Sequence, residues 1–201
     1  MREILPGIHH WTAKHPNTGS LASSYFVAES ATVLDPMVPP DVGLDWFQNV
    51  QAIALTNRHH DREAKQYCER FAIGPVLVPD TGLYEFDDKD LEVAGYAPGE
   101  EIITGIVVHE VGAICPDDMA LEIRSAGALA MADGLVHVDG RVRFVSDGLM
   151  DNPEQTKREL AASLERLLDV DFDTLLFAHG EPIVGGGKQA LRDFLATNPG
   201  G

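Results

Sequence analysis

Val50–Arg62 reads VQAIALTNRHHDR, and its character changes sharply at Thr56: an apolar run, Val50–Thr56, gives way to Asn57-Arg58-His59-His60-Asp61-Arg62. A near-continuous apolar run is a strand covered on both faces, because a strand with one wet face would alternate. In α/β folds, ligands gather just past the C-terminal ends of such strands. The same join recurs downstream, where Ala128–Ala132 is followed by Asp133 and Thr174–Ala178 by His179. Three strand ends that each deliver His or Asp suggest one convergent cluster, and the spacing His59-x-Asp61 can turn two ligands toward one point. Zinc, iron and manganese all accept imidazole nitrogen together with carboxylate oxygen, and a partly open site brings the pKa of bound water to near 7. The plainer roles for the same residues are a helix cap at Asp61 and a hairpin turn at Asp133-Gly134.

Outward from this stretch, Leu21–Glu29 and Ala31–Asp35 read as β runs, and a short helix, Val42–Gln48, is expected after the Pro-rich MVPP. Glu63–Phe71 reads as a helix and Pro75–Val78 as a short buried strand. Ile102–His109, Met119–Arg124, Ala128–Met131 and Arg141–Val145 follow as β runs. Pro153 opens a helix running to Leu168, with Leu160, Leu164, Leu167 and Leu168 at helical spacing, and a C-terminal helix follows Gly185–Gly187. Strands outnumber helices, and several are apolar throughout. Two stacked sheets with helices outside, a four-layer α/β/β/α arrangement, cover them on both faces.

The 201 residues suit one domain, 1–201, with a core large enough to need no disulfide or structural metal. Lys and Arg number 15 against 32 Asp and Glu, a net charge of −17 in a chain that is 44% hydrophobic. That composition is globular, and its sign repels nucleic acid and anionic membrane surfaces. Cations and neutral small molecules are the favoured partners, and a homodimer stays an open option. Cys68 and Cys115 form no C-x-x-C pair, the start MREILPGIHHW is no signal peptide, and no apolar run approaches membrane-spanning length. A soluble, cytoplasmic protein is expected.

Leu55–Arg62 resembles, in degraded form, the motif T-H-x-H-x-D-H of metallo-β-lactamase-fold hydrolases. The resemblance covers most of the chain. Gly7-Ile8-His9 with Ser23–Asp35 is similar to the family's N-terminal hairpin, and His109-Glu110-Val111-Gly112-Ala113 to its H-x-P-G-H stretch. Ala128–Gly134 resembles the strand carrying the bridging aspartate, and Phe177-Ala178-His179-Gly180 the terminal H-G. The fold implied is the αββα sandwich.

Carried over position by position, the resemblance implies a ligand set of His59, Asp61, Asp133 and His179. Asn57, Arg62 and Ala113 stand where three further histidine ligands belong. An alanine cannot ligate, and an arginine sets a fixed positive charge where a second cation would sit, so the implied site is mononuclear. One divalent ion, zinc first and iron or manganese next, would serve hydrolysis of a small ester, thioester or lactam-type substrate. Asp61 would orient the water, and Arg62 or Asn57 would stabilise the oxyanion. The other reading is an inactive binding or regulatory protein without metal, in which Arg62 takes the ion's place and pairs with Asp61 and Asp133. The residues do not choose between these. His60 and His109 are secondary candidates, as substitute ligands or hydrogen-bond donors, and Asp147 competes with Asp133. The run GGGK at 185–188 reads as a flexible lead into a helix rather than a phosphate cradle.

Overall fold

The computed structural model describes residues 1–198. Its first sheet holds seven strands in sequence order: β1 (Arg2–Leu5), β2 (Ile8–Lys14), β3 (Leu21–Val27), β4 (Thr32–Leu34), β5 (Ala52–Ala54), β6 (Val76–Pro79) and β7 (Val93–Tyr96). Pairing is antiparallel from β1 to β4 and parallel from β4 to β7. The second sheet contains β8 (Glu101–Ile103), β9 (Ile106–Glu110), β10 (Met119–Ile123) and β11 (Ala128–Met131). After a separate hairpin, β12 (Leu135–Val138) with β13 (Arg141–Phe144), the chain returns as β14 (Thr174–Phe177), parallel to β11 at the sheet's edge. Helix α1 (Ala64–Phe71) follows β5; α2 (Pro153–Arg166) and α3 (Gly187–Thr197) flank β14 in sequence.

The apolar runs are explained by three cores. Val33, Ile53 and Leu55 point outward to pack with Ala64 and Tyr67 of α1. Their neighbours Leu34 and Ala54 point the other way, into a core shared with Val108, Leu121 and Leu176 of the second sheet. Leu129, Met131, Leu175 and Phe177 face a third core with Leu160 and Leu164 of α2 and Leu191 of α3. Successive residues on a strand therefore enter different cores, and neither parity can be polar. The layers are helix, sheet, sheet, helix, as expected.

Local departures from the expected elements have local causes. In place of a helix at Val42–Gln48 there is one 3-10 turn, Leu44–Trp46, entered through Gly43 at φ +65° with no side-chain cap to propagate it. The run Ile102–His109 is split into the β8–β9 hairpin at Gly105, whose φ is +79°. β1, most of β2, β7 and β12 are strands not foreseen in the sequence. Helix α2 begins at Pro153 behind Asn152, whose side chain accepts from Gln155 N. No helix among the described residues is long and apolar enough to cross a membrane.

Three residue pairs cross-link and register the sheets at one end. Tyr25 Oη on β3 donates to Phe177 O at 2.9 Å and accepts from Phe177 N at 3.0 Å. Ser23 N bonds Ala178 O at 2.8 Å, and Met119 N bonds Thr56 O at 3.0 Å. The C-terminal ends of β5, β11 and β14 are thereby brought to one place.

Candidate metal centre

Asp133 and His179 stand where parallel strands put them. β11 and β14 pair in register, Met131 opposite Phe177, so the residues two beyond each end emerge side by side. His179 Nε2 lies 3.2 Å from Asp133 Oδ1. The third member of the group is His60, with Nε2 also 3.2 Å from Asp133 Oδ1. The ligand atoms of His60, Asp133 and His179 all lie within 4.8 Å of one another.

His60 takes this place in the short 3-10 segment 58–61, kinked at His60 itself (φ −93°, ψ 18°) and capped by Asn57, whose Oδ1 accepts from His59 N at 2.9 Å. Positions three apart share a face in such a turn. Asn57 and His60 form one such pair: Asn57 Nδ2 donates to Asp133 Oδ2 at 2.9 Å while His60 meets Oδ1. Arg58 and Asp61 form the other, facing away, with Arg58 on Asp117 and Asp61 Oδ2 receiving Lys89 Nζ at 2.7 Å. His59 is exposed. The expected ligands His59 and Asp61 therefore do not join the group. Their alternation presumes an extended chain, and the turn replaces a period of two with a period of three. Asn57 read as a cap, with its partner three positions on, is the signal that could have pointed to His60.

Behind His60 stands Asp35, buried at the end of β4. Thr56 donates to its carboxylate twice, from N at 2.8 Å and from Oγ1 at 2.7 Å. With the Thr56 hydroxyl proton so committed, His60 Nδ1, 3.1 Å from Asp35 Oδ2, must be the donor. His179 Nδ1 sits 3.1 Å from Leu21 O, and a carbonyl only accepts, so it too carries its proton there. Both imidazoles thus turn Nε2 toward the same Asp133 oxygen. A carboxylate facing two ring nitrogens needs a cation among them, a proton or a metal ion, and orientation of each ring by a partner on its other nitrogen is the arrangement metal-binding histidines adopt.

The charges follow from this geometry. Burial disfavours the His60 imidazolium, but Asp35 and Asp133 on its two sides prevail and raise its pKa to about 9. Burial likewise opposes ionisation of Asp133, yet His60 and His179 hold its carboxyl well below the ordinary range. Beneath them Asp118, fully buried, accepts Asp133 N at 3.0 Å and Gly134 N at 3.2 Å. Burial and the neighbouring Asp133 charge push it up to about 7. His60 is 4% exposed at its side chain, against 23% for Asp133 and 31% for His179, so the group opens to solvent on the β11–β14 side.

Arg62 lies beside the group without pairing into it. Its Nη1 donates to Ser23 O at 2.7 Å and to Asp35 O at 2.9 Å, and among the described residues it forms no ion pair with Asp61 or Asp133. The expected substitution of a guanidinium for the ion, through those two carboxylates, is not what the structure contains. Ala113, at φ +67°, adds no donor. His109 bonds Glu122 at 2.9 Å on the second sheet, and Asp147 pairs with Lys157, both away from the group. Gly186 precedes α3 and Lys188 lies over the Phe172 ring, so the GGGK run starts a helix.

No protein-family model matches the sequence, and no curated protein matches it significantly. Solved structures do match by shape. An archaeal metallo-β-lactamase superfamily protein from Sulfolobus tokodaii has a TM-score of 0.70 at 16% identity, covering 95% of this chain and 85% of its own. A metallo-β-lactamase from Pontibacter korlensis gives 0.69 at 13% identity, over 97% and 96%. The rubredoxin oxygen:oxidoreductase of Desulfovibrio gigas gives 0.70 at 13% identity, and the chain spans 60% of its length. With its two sheets, outer helices and strand-end cluster arranged as described, the chain has the metallo-β-lactamase fold.

Proposed function

We propose that the protein is a metal-dependent hydrolase of a small ester, thioester or lactam-type substrate, with one divalent ion held by His60, Asp133 and His179. The observation that carries this reading is the convergence of two Nε2 atoms and one carboxylate oxygen within 4.8 Å, with each ring's Nδ1 proton already assigned to another acceptor. Two imidazoles and a carboxylate suit zinc, with iron or manganese next. A bound divalent ion supplies Lewis acidity and a water that ionises near neutral pH.

The chain's own residues do the positioning. Asn57, through its bond to Asp133 Oδ2, leaves Oδ1 turned toward the imidazoles, which makes it a positioning residue rather than the oxyanion donor expected from its place in the motif. Asp35 and Thr56 fix the His60 ring, and the Leu21 carbonyl fixes His179. Asp61, expected to orient water, is engaged by Lys89.

One observation favours a second reading, a metal-free binding protein: a protonated His60 between Asp35 and Asp133 supplies a positive charge to both carboxylates without an ion. The two separate on dialysis against zinc. The hydrolase reading expects about one equivalent bound per chain, turnover of a p-nitrophenyl ester, thioester or lactam, and loss of both in Asp133→Ala and His179→Ala. A protein that retains no metal and whose stability ignores chelators overturns it.

A further inference from the structure

His10 is a buried histidine, 2% exposed, that the metal centre as described does not employ. Two residues beyond Ile8 on β2, it shares that residue's inward face, and in the β2–β3 register it has Tyr25 directly opposite and Ser23 on the diagonal. A buried imidazole is costly unless its polar atoms are met. The ring stacks on Tyr25, centroids 5.0 Å apart at 24°, and its Nε2 lies 3.2 Å from Ser23 Oγ. Ser23 Oγ donates in turn to Gly180 O at 2.8 Å, and a carbonyl only accepts, so the hydroxyl proton is spent there. His10 Nε2 therefore carries the proton that Ser23 Oγ receives. Burial, the largest influence on this ring, lowers its pKa to about 4 against the pull of Glu181, so the imidazole is neutral with that one proton.

Ser23 grips the chain on both sides of His179. Its N bonds Ala178 O at 2.8 Å, and its Oγ bonds Gly180 O. Two residues earlier on the same strand, Leu21 O takes His179 Nδ1 at 3.1 Å. β14 thus delivers His179 past the strand end, and β3 sets how its backbone and ring then lie. From the other side His137 N bonds His179 O at 3.1 Å, which leaves the next carbonyl, that of Gly180 at φ +115°, for Ser23 to fix. Among these bonds only the one to Gly180 O depends on a side chain. A hydroxyl rotates unless a neighbour directs it, and His10 is that neighbour.

We propose that His10 and Ser23 are positioning residues for His179: the His10 Nε2–H directs the Ser23 hydroxyl onto Gly180 O, and that bond holds the His179 imidazole at the angle that faces Asp133. The consequence for metal affinity rests on the metal-centre reading; the consequence for the ring does not. Zinc affinity, measured by competition with a chelator, is expected to fall at least about tenfold in Ser23→Ala and in His10→Phe, which keeps a ring on Tyr25 without the donor. Ser23→Thr, which keeps the hydroxyl, is expected to retain the affinity. The double variant should lose no more than Ser23→Ala alone, because His10 acts through that hydroxyl, whereas independent roles would add. Ser23→Ala removes a single oxygen and carries the test if His10→Phe does not fold. Additive losses, or an undiminished zinc affinity in Ser23→Ala, overturn the proposal. Nuclear magnetic resonance of the metal-free proteins reads the same device without zinc. The His179 Nδ1–H signal, protected by Leu21 O, is expected in the wild type and Ser23→Thr and lost to exchange with water in Ser23→Ala, and nitrogen shifts should place the His10 proton on Nε2. A protected His179 signal in Ser23→Ala, or the His10 proton on Nδ1, overturns it. A wild type that binds no zinc defeats the metal-centre reading alone, and the resonance comparison still decides His10 and Ser23.

Discussion

The two halves of the site are built by different means. On the second sheet, Asp133 and His179 are placed by backbone: β11 and β14 pair in register and carry both side chains past their ends together. On the first sheet, His60 is placed by side chains, through a capped 3-10 turn and a buried carboxylate behind the ring. Backbone placement tolerates little motion but accepts many neighbours. Side-chain placement depends on each partner's being present, so substitutions in the two halves should fail differently.

The largest effect is expected in the backbone-built half. A Cβ at Gly180, where φ is +115°, would lie 1.9 Å from His137 O. Gly180→Ala should therefore cost about 3 kcal/mol or more, read as a drop in urea midpoint, since a strand and not a flexible side chain must move. In the side-chain half, His60→Ala removes the one group that bridges the Asp35 and Asp133 carboxylates and should cost about 3 kcal/mol, while the exposed His59→Ala should stay within about 0.5 kcal/mol. Equal costs for the two histidines would erase the distinction between the halves.

A pH series sharpens the same comparison. The His60 pKa is raised from 6.5 to about 9, so the folded, metal-free protein binds more protons than the unfolded chain between those values. Stability from this group is fully present below pH 6.5 and is lost as the pH rises through about 9. Denaturation midpoints of the metal-free wild type should fall over that window. This part of the fall should vanish in His60→Ala and persist in His59→Ala.

The difference between the halves also explains what could be read from sequence. The layers were legible because both parities of Val33-Leu34 and Ile53-Ala54-Leu55 are apolar, and only a doubly covered sheet needs that. Asp133 and His179 were legible because strand ends fix where the next residues emerge. His60 was legible only as a secondary candidate, because the register of a single turn decides which of His59, His60 and Asp61 faces inward, and that register depends on Asn57 capping and on Asp35, distant in sequence. The orientation of Arg62 was not legible, because its hydrogen-bond partners are backbone oxygens, which carry no sequence signature.

The smallest effect is expected where the motif suggested a central role. Asp61→Asn breaks only the partly exposed pair with Lys89 and should change stability by no more than about 0.5 kcal/mol, checked by the same midpoints.

The central claim, that the turn presents His60 and not His59 to the site, is tested most directly by metal stoichiometry in His60→Gln and His59→Gln after equilibration with zinc. About one equivalent is expected in the wild type and in His59→Gln, and none in His60→Gln. Zinc retained by His60→Gln and lost by His59→Gln would contradict it.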